Sequence, residues 1–179
     1  GMIRLREFNM AELEYFIDPE VNPVHDFSAW SEPIKLISES RGEVEMTFGQ
    51  AVDEGIIRHP TVGFFMAWAK DFLLSVGINP QGLRFRQHES NEMAHYAQDC
   101  WDAEIFGSYG WIECVGIAHR GCFDLSAHEA ATGQKLRAWR KFSEPKLIET
   151  DGWTIEGAKA GPAFRAIAGK VKEYVENLS

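Results

Sequence analysis

Several features that would quickly narrow the class of this protein are scarce in its sequence. Its three cysteines, Cys100, Cys114 and Cys122, are an odd number without a CxxC pair. This argues against a disulfide framework and against a zinc site built on thiolate pairs. No apolar run approaches the ~20 residues that cross a bilayer, and the first residues lack the apolar segment of a signal peptide. We therefore expect a cytoplasmic globular protein with no membrane partner.

Positive charge is also scarce. The 179 residues include 18 Lys and Arg against 27 Asp and Glu, which gives a net charge of −9. A nucleic-acid-binding surface normally shows as a basic patch, and here the basic residues are scattered. We therefore do not expect this chain by itself to bind nucleic acid. With 45% hydrophobic residues, it has enough apolar side chains for a packed core.

The apolar spacing predicts several helices. Residues 60–77 begin near a proline and end at a glycine, as helices often do. Residues 161–179 have the same spacing, and residues 119–133 read as a turn that enters a helix. The predicted inward stripe of the first helix consists of Val62, Phe65, Ala69, Phe72 and Val76.

Strand-like runs cover residues 83–88, 98–106 and 110–118. The last two are joined by the turn GSYG, which predicts a hairpin. Residues 19–60 read as a connection or insertion that holds a short strand near 43–48 and a helical turn after it. Because no βαβ rhythm is present, we predict an α+β fold with an antiparallel sheet flanked by helices.

The first fifteen residues after Gly1, MIRLREFNMAELEYF, read as one extended segment. In a strand, Arg4, Arg6, Phe8 and Glu12 would share a face. The planar guanidinium group of arginine can donate two hydrogen bonds to a phosphate. An aromatic ring can stack on a base, and a carboxylate can bind an ammonium group. This face could bind a nucleotide with a small amine beside it. A solvated strand face and a helix over NMAELEYF are the alternatives.

A carboxylate also lies inside the predicted hairpin. Glu113 would share a face with Trp111, Val115 and Ile117, where an unpaired charge is costly to bury. It could bind Mg²⁺ carried by a nucleotide, since that ion takes carboxylate and phosphate oxygens. The alternative is a salt bridge, for example to Arg120.

Three long stretches, RLREFNMAELEYFIDP, LRFRQHESNEMAHYAQDCWDAE and YGWIECVGIAHRGCFDLSAH, closely resemble glycyl-tRNA synthetase of the archaeal and eukaryotic type. This family is a class II aminoacyl-tRNA synthetase of protein biosynthesis. The resemblance implies a ligase that uses ATP and Mg²⁺ to activate glycine and passes it to tRNA(Gly). It also implies a homodimer in the complete enzyme, and no zinc.

The resemblance implies roles for particular residues. It makes Arg4 and Leu5 ATP contacts, and Phe8 the ring that stacks on adenine. Glu12 would bind the amino group of glycine, and Glu113 would bind ATP and Mg²⁺. The remaining implied site residues are Cys114, beside ATP, and Arg120, an active-site arginine.

The cluster of polar residues in RQHESNEMAHYA, residues 86–97, is consistent with a metal site, a catalytic cluster or ordinary polar side chains of the fold. The resemblance favours polar side chains near a pocket and implies no metal role for His88 or His95. It also implies that residues 1–179 form part of a catalytic domain, without the anticodon-binding domain. The isolated chain is then expected to be inactive. A stand-alone paralogue that binds a nucleotide, amino acid or partner protein without ligation is the alternative.

Overall fold

A computed structural model describes residues 4–21, 23–139, 141–142, 144–145, 147 and 155–177. The chain divides into two compact units, residues 1–136 and 137–179. The strands are β1 (Ile34–Ser38), β2 (Gly42–Met46), β3 (Leu83–Gln87), β4 (Asp99–Gly107) and β5 (Gly110–His119). The helices are α1 (Phe48–Asp53), α2 (Pro60–Ser75), α3 (Phe123–Thr132), α4 (Gly157–Phe164) and α5 (Ala168–Glu176).

The five strands form one sheet in the order β2-β1-β3-β4-β5. The β1–β3 pair is parallel, with Leu36 opposite Phe85, whereas the other three pairs are antiparallel. The α+β class is confirmed, but the prediction of an antiparallel sheet is wrong in this detail. The physical reason is the long connection through α1 and α2, which returns the chain beside β1 in the same direction.

Local signals placed most of the other elements correctly. The predicted hairpin is β4–β5, which turns at residues 108–109 with Gly110 at a φ of +96°. The predicted strand and helical turn inside residues 19–60 are β2 and α1. The side chain of Thr47 accepts a hydrogen bond from the Gln50 amide and caps α1, while Gln50 returns the contact. Strand β1 is an element that the sequence analysis missed.

The core lies between one face of the sheet and helices α1 and α2. Its largest fully buried side chains include Leu36, Phe48, Met66, Phe85 and Trp101. The rings of Phe48 and Phe85 pack edge to face with their centroids 5.4 Å apart. This contact joins α1 to the central strand β3.

The predicted inward stripe of α2 is only partly correct. Val62 points into the core as predicted, but Phe72 and Val76 are about 60% exposed. The core positions are instead continued by Met66 and Leu73. Helix α2 is apolar over a wide arc, so the spacing alone allowed more than one face to be inward.

The predicted strand at the start of the chain is not observed in the described residues. Residues 4–18 form no strand, and residues 2 and 3 of the prediction lie outside the described residues. A strand requires a ladder partner, and no described segment pairs with this one. The shared strand face proposed for Arg4, Phe8 and Glu12 therefore does not exist in this structure.

The second unit contains α4 and α5, which lie within the predicted C-terminal helix or just before it. The helical run is interrupted at Arg165, whose φ is +44°, and Pro162 lies inside α4. Leu178, the last residue of the predicted stripe, lies outside the described residues. Among the described residues, no helix is both long enough and apolar enough to cross a membrane.

Candidate functional site

The side of the sheet opposite α1 and α2 carries a dense set of charged groups. Alternation along a strand sends successive side chains to opposite faces, so residues between the buried ones of β3 and β4 point to this second side. We call it the polar face and define it by Arg84, Arg86, His88, Cys100, Asp102, Glu104 and Glu113.

Two arginines and two carboxylates on neighbouring strands are linked in a network. Glu104 accepts hydrogen bonds from Nε of Arg84 at 2.6 Å and from Nε of Arg86 at 3.3 Å. Arg86 also reaches Asp102 at 3.4 Å and Glu92 at 2.8 Å. These partners tie both guanidinium groups to carboxylates on β4 and on the loop that follows β3. The polar face is therefore ordered by its own charges.

A β-bulge decides where Glu113 points. The register of β4 and β5 shifts between Ala103, which faces Val115, and Glu104, which faces Glu113. Cys114 takes up the extra position, and its Sγ donates to the carbonyl oxygen of Ala103 at 3.2 Å. A bulge turns the residues on its two sides to different faces. Val115 packs against the core, while Glu113 lies on the polar face.

This arrangement corrects the predicted face of Glu113. Trp111 does share that face, because it lies before the bulge and its ring stacks under the Arg84 guanidinium at 4.1 Å. Val115 and Ile117 lie after the bulge and pack against the core cluster. The strict alternation assumed for β5 therefore fails at one residue.

Glu113 and Asp102 bring two carboxylates close together across Gly116. A Cβ atom built on Gly116 would lie 3.8 Å from Oδ1 of Asp102 and 3.9 Å from Oε1 of Glu113. Burial raises the pKa of Asp102, and the charge of Glu113 raises it further, against the lowering effect of the hydrogen bond from His88 and the charges of His88 and Arg86. A cation at this point would favour the ionised form of Asp102.

Arg4 is the predicted site residue that the structure brings to Glu113. Its Nη2 atom lies 3.4 Å from Oε2 of Glu113 and donates to the Glu113 backbone oxygen at 3.1 Å. Both side chains are about half exposed, so this pair is not fixed by burial. The contact joins the N-terminal segment to the bulge of β5.

Arg120 does not form the salt bridge to Glu113 that was one alternative. Its Nη2 donates to Oδ2 of Asp124 at 2.9 Å, and its guanidinium lies over the ring of Tyr96 at 4.4 Å. The bond to Asp124 raises the pKa of Arg120, which stays charged. Arg120 thus links the loop before β4 to the start of α3.

Leu5, Phe8 and Glu12 are exposed side chains of the N-terminal segment. Phe8 and Leu5 are 53% and 61% exposed, so a ligand could contact them. Their predicted roles beside ATP and glycine stay predictions. Cys114 lies at the bulge, where its thiol donates to a carbonyl oxygen of β4.

The polar stretch at residues 86–97 is anchored at several points. Nε2 of His88 lies 2.8 Å from Oδ2 of Asp102, and the ring of His95 packs edge to face on Phe123 at 5.2 Å. Sequence reasoning singled out this stretch but missed Asp102 and Glu104. The alternating patterns LRFRQH and DCWDAE could have indicated them, since each places charged residues next to apolar residues that are buried.

Comparison with known proteins identifies relatives of this chain. No family model matches the chain. Over its whole length the chain is 43% identical to the glycine–tRNA ligase of Drosophila melanogaster and 45% identical to glycine–tRNA ligase 2 of Saccharomyces cerevisiae. It is 40% identical to the glycine–tRNA ligase of Methanocaldococcus jannaschii. These alignments cover 24%, 30% and 33% of the relatives, so the chain spans about a quarter to a third of their length.

These relatives are aminoacyl-tRNA synthetases, and the chain is homologous to a part of them. More narrowly, it is homologous over its whole length to a part of the glycine–tRNA ligases of archaea and eukaryotes. The resemblance stated from the sequence is thereby confirmed.

Proposed function

We propose that the chain forms part of the catalytic domain of a glycine–tRNA ligase. The complete enzyme would activate glycine with ATP to glycyl-adenylate and transfer the glycine to tRNA(Gly). The observation that carries this proposal is the identity of 40–46% to glycine–tRNA ligases over nearly the whole chain. The boundaries of the catalytic domain, with residues 19–60 as a connection or insertion, and a homodimeric, cytoplasmic enzyme are parts of the same proposal. One yeast relative is named as mitochondrial.

In this proposal ATP lies against Arg4, Leu5, Phe8 and the bulge at Glu113 and Cys114. A guanidinium offers a planar pair of donors to phosphate oxygens, and an aromatic ring can stack on adenine. The contact between Arg4 and Glu113 supports a shared site, since it brings a phosphate-binding type of side chain beside a carboxylate.

Mg²⁺ would be held by Glu113. Its carboxylate and that of Asp102 flank Gly116, each within about 4 Å of the position of a Cβ there, so two hard oxygen ligands approach the same region. This donor set fits the ion, which usually takes one or two carboxylates and leaves its other positions to phosphate oxygens and water. When bound, the ion supplies positive charge against the phosphates of ATP.

The chain's own groups would position the reactants rather than bond to them. Glu12 would hold the ammonium group of glycine, and Arg120 would add positive charge at the active site. A carboxylate oxygen of glycine attacks the α-phosphorus of ATP in line, and the bond to pyrophosphate breaks. Catalysis then depends on alignment and charge stabilisation, with no covalent enzyme intermediate.

The alternative function is a stand-alone paralogue that binds a nucleotide, an amino acid or a partner protein without ligation. The complete reading frame that contains these residues distinguishes the two functions. A ligase catalyses glycine-dependent exchange between ATP and pyrophosphate, whereas a paralogue binds ATP or glycine and shows no exchange. Absence of exchange from a folded, complete protein would overturn the ligase proposal.

Glu12→Gln in that complete protein tests the glycine contact. A charge-assisted hydrogen bond to ammonium contributes about 1.5–3 kcal/mol, so glycine activation should fall by about ten- to a hundredfold while ATP binding is largely kept. Glu20→Gln, at another exposed glutamate, is the matched control and should keep wild-type exchange. An unchanged kcat/KM for glycine in the exchange assay of Glu12→Gln would refute the role of Glu12. The isolated chain should show no exchange, since it spans only 24–33% of its relatives.

A further inference from the structure

The polar face contains a group of donors of which the ligase proposal uses only Asp102. His88, Cys100 and Asp102 each present one ligand atom, and the three atoms all lie within 4.8 Å of one another. His88 follows β3, and its backbone amide bonds to the carbonyl oxygen of Cys100 on β4 at 2.9 Å. Because Cys100 and Asp102 alternate with the buried Trp101, both side chains point to the polar face beside His88.

We propose that His88, Cys100 and Asp102 bind one divalent metal ion of the zinc type. An imidazole nitrogen, a thiolate and a carboxylate are the three kinds of protein ligand that zinc takes, and zinc needs only four ligands in all. A thiolate in the set disfavours Mg²⁺, which prefers oxygen ligands. The sequence analysis expected no zinc, because the cysteine spacing offers no thiolate pair and the family resemblance implies no metal role for His88. The three ligands proposed here meet only across the β3–β4 pair.

The geometry needs little adjustment to accept an ion. Nε2 of His88 and Oδ2 of Asp102 are 2.8 Å apart, joined by a hydrogen bond that the metal would replace. Arg86 lies 3.4 Å from the same Asp102 oxygen and would remain as an outer hydrogen-bond donor that orients the carboxylate. The strands that carry the ligands are paired in register, so the ligand backbone is already fixed.

The negative charges around Cys100 favour a cation here, whereas burial of the thiol opposes the loss of its proton. Burial, followed by the charges of Asp102, Asp99 and Glu113, raises the pKa of the Cys100 thiol to about 11. The thiol is therefore protonated at neutral pH when no metal is bound. Formation of the metal–sulfur bond would release the Sγ proton to solvent, as metal binding by thiols generally does. Proton release is thus a signature of binding through Cys100.

Cobalt(II) is the direct probe, because a cobalt–thiolate bond gives a charge-transfer band in the near ultraviolet. The 179-residue chain is stripped with a chelator and titrated with Co²⁺, and then with Zn²⁺ or Mg²⁺ as competitor. We expect the band to appear, Zn²⁺ to abolish it, and millimolar Mg²⁺ to leave it. Proton release at neutral pH should accompany the band. No band, or a band that Mg²⁺ removes, would overturn the proposal.

The other cysteines supply matched controls. Cys100→Ser should lose the band, and His88→Gln should weaken Co²⁺ binding by at least about tenfold. Cys114→Ser and Cys122→Ser should keep it, since neither thiol belongs to the cluster. A band that survives in Cys100→Ser, or that disappears in Cys122→Ser, would show adventitious binding at an exposed thiol. Either result would contradict the proposal. Circular dichroism establishes that each variant is folded, and His88→Gln gives a second readout if Cys100→Ser is not. The result does not depend on ligase activity.

Discussion

The two faces of strands β3 and β4 differ sharply in character, although the same residues' backbone forms both. On the covered face, defined by Leu83, Phe85, Trp101 and Ala103, every side chain is nearly inaccessible to solvent. On the polar face, charged side chains neutralise one another in pairs. Neighbouring residues in the same strand therefore belong to different faces, one that stabilises the fold and one that carries the charged groups of the candidate site. Substitutions on the two faces should therefore differ in kind.

The largest effect is expected on the covered face. Phe85→Ala removes a fully buried ring that packs against Phe48, and such changes cost about 3–5 kcal/mol through lost burial and a cavity. Urea denaturation followed by circular dichroism measures this. Phe72→Ala, at a residue that is 62% exposed on α2, is the matched control and should change stability by less than about 0.5 kcal/mol. Equal losses in the two variants would contradict the assignment of the covered face.

A smaller effect is expected on the polar face. Glu104→Gln removes the charge that Arg84 and Arg86 share, in a side chain that is 10% exposed. The expected loss is about 1–2 kcal/mol, between the values for exposed and buried ion pairs. A double-mutant cycle with Arg84→Met isolates the pair. Glu43→Gln, which breaks the exposed pair with Lys35, should cost almost nothing. If Glu104→Gln behaves like Glu43→Gln, the polar face is not an organised network.

The smallest effect is expected at the rim of the covered face, where His59 caps α2. Its Nδ1 accepts a hydrogen bond from the Thr61 amide, and its ring stacks on His119 with centroids 4.7 Å apart. Burial, and then the charges of His119 and His25, lower the pKa of His59, although Asp99 opposes this. The folded protein therefore resists a proton that the unfolded chain accepts.

The sign of the pH dependence follows from that shift. Since the folded pKa lies below the ordinary value of 6.5, stability should be greatest above that value and fall as the pH drops through it. Unfolding midpoints between about pH 5 and pH 8 measure the slope. His59→Asn keeps a residue that caps helices and should flatten the slope. His128→Asn, on the exposed surface of α3, should leave it unchanged, and a slope that persists in His59→Asn would exclude this histidine as its source.

Much of the fold was predictable because its signals are local. The β4–β5 hairpin follows from two alternating runs around a turn with a glycine, and α2 from its period, Pro60 and Gly77. Strand β1 was missed although local signals flank it, since Pro33 precedes it and a turn at residues 39–41 with Gly42 at a φ of +71° follows it. The parallel pairing with β3 could not be predicted without β1.

The candidate site was predictable in its residue types and less so in its geometry. Glu113 was singled out as a carboxylate that needs a partner, and the structure supplies Arg4. The bulge at Cys114, which turns Glu113 away from Val115, has no signal in the sequence because it depends on the register with β4. For the same reason, the proximity of His88, Cys100 and Asp102 emerges only when the strands are paired.

By itself, the sequence determined the family, the helices with clear caps and the hairpin, because each depends on residues that are neighbours in the chain. Tertiary structure decided which side of α2 faces the core. Apolar residues lie on more than one side of this helix, and only packing against the sheet determines which of them are buried. It also decided that residues 4–18 form no strand, although they alternate well. Strand formation requires hydrogen-bonding partners from distant parts of the chain, and a periodic pattern cannot supply them.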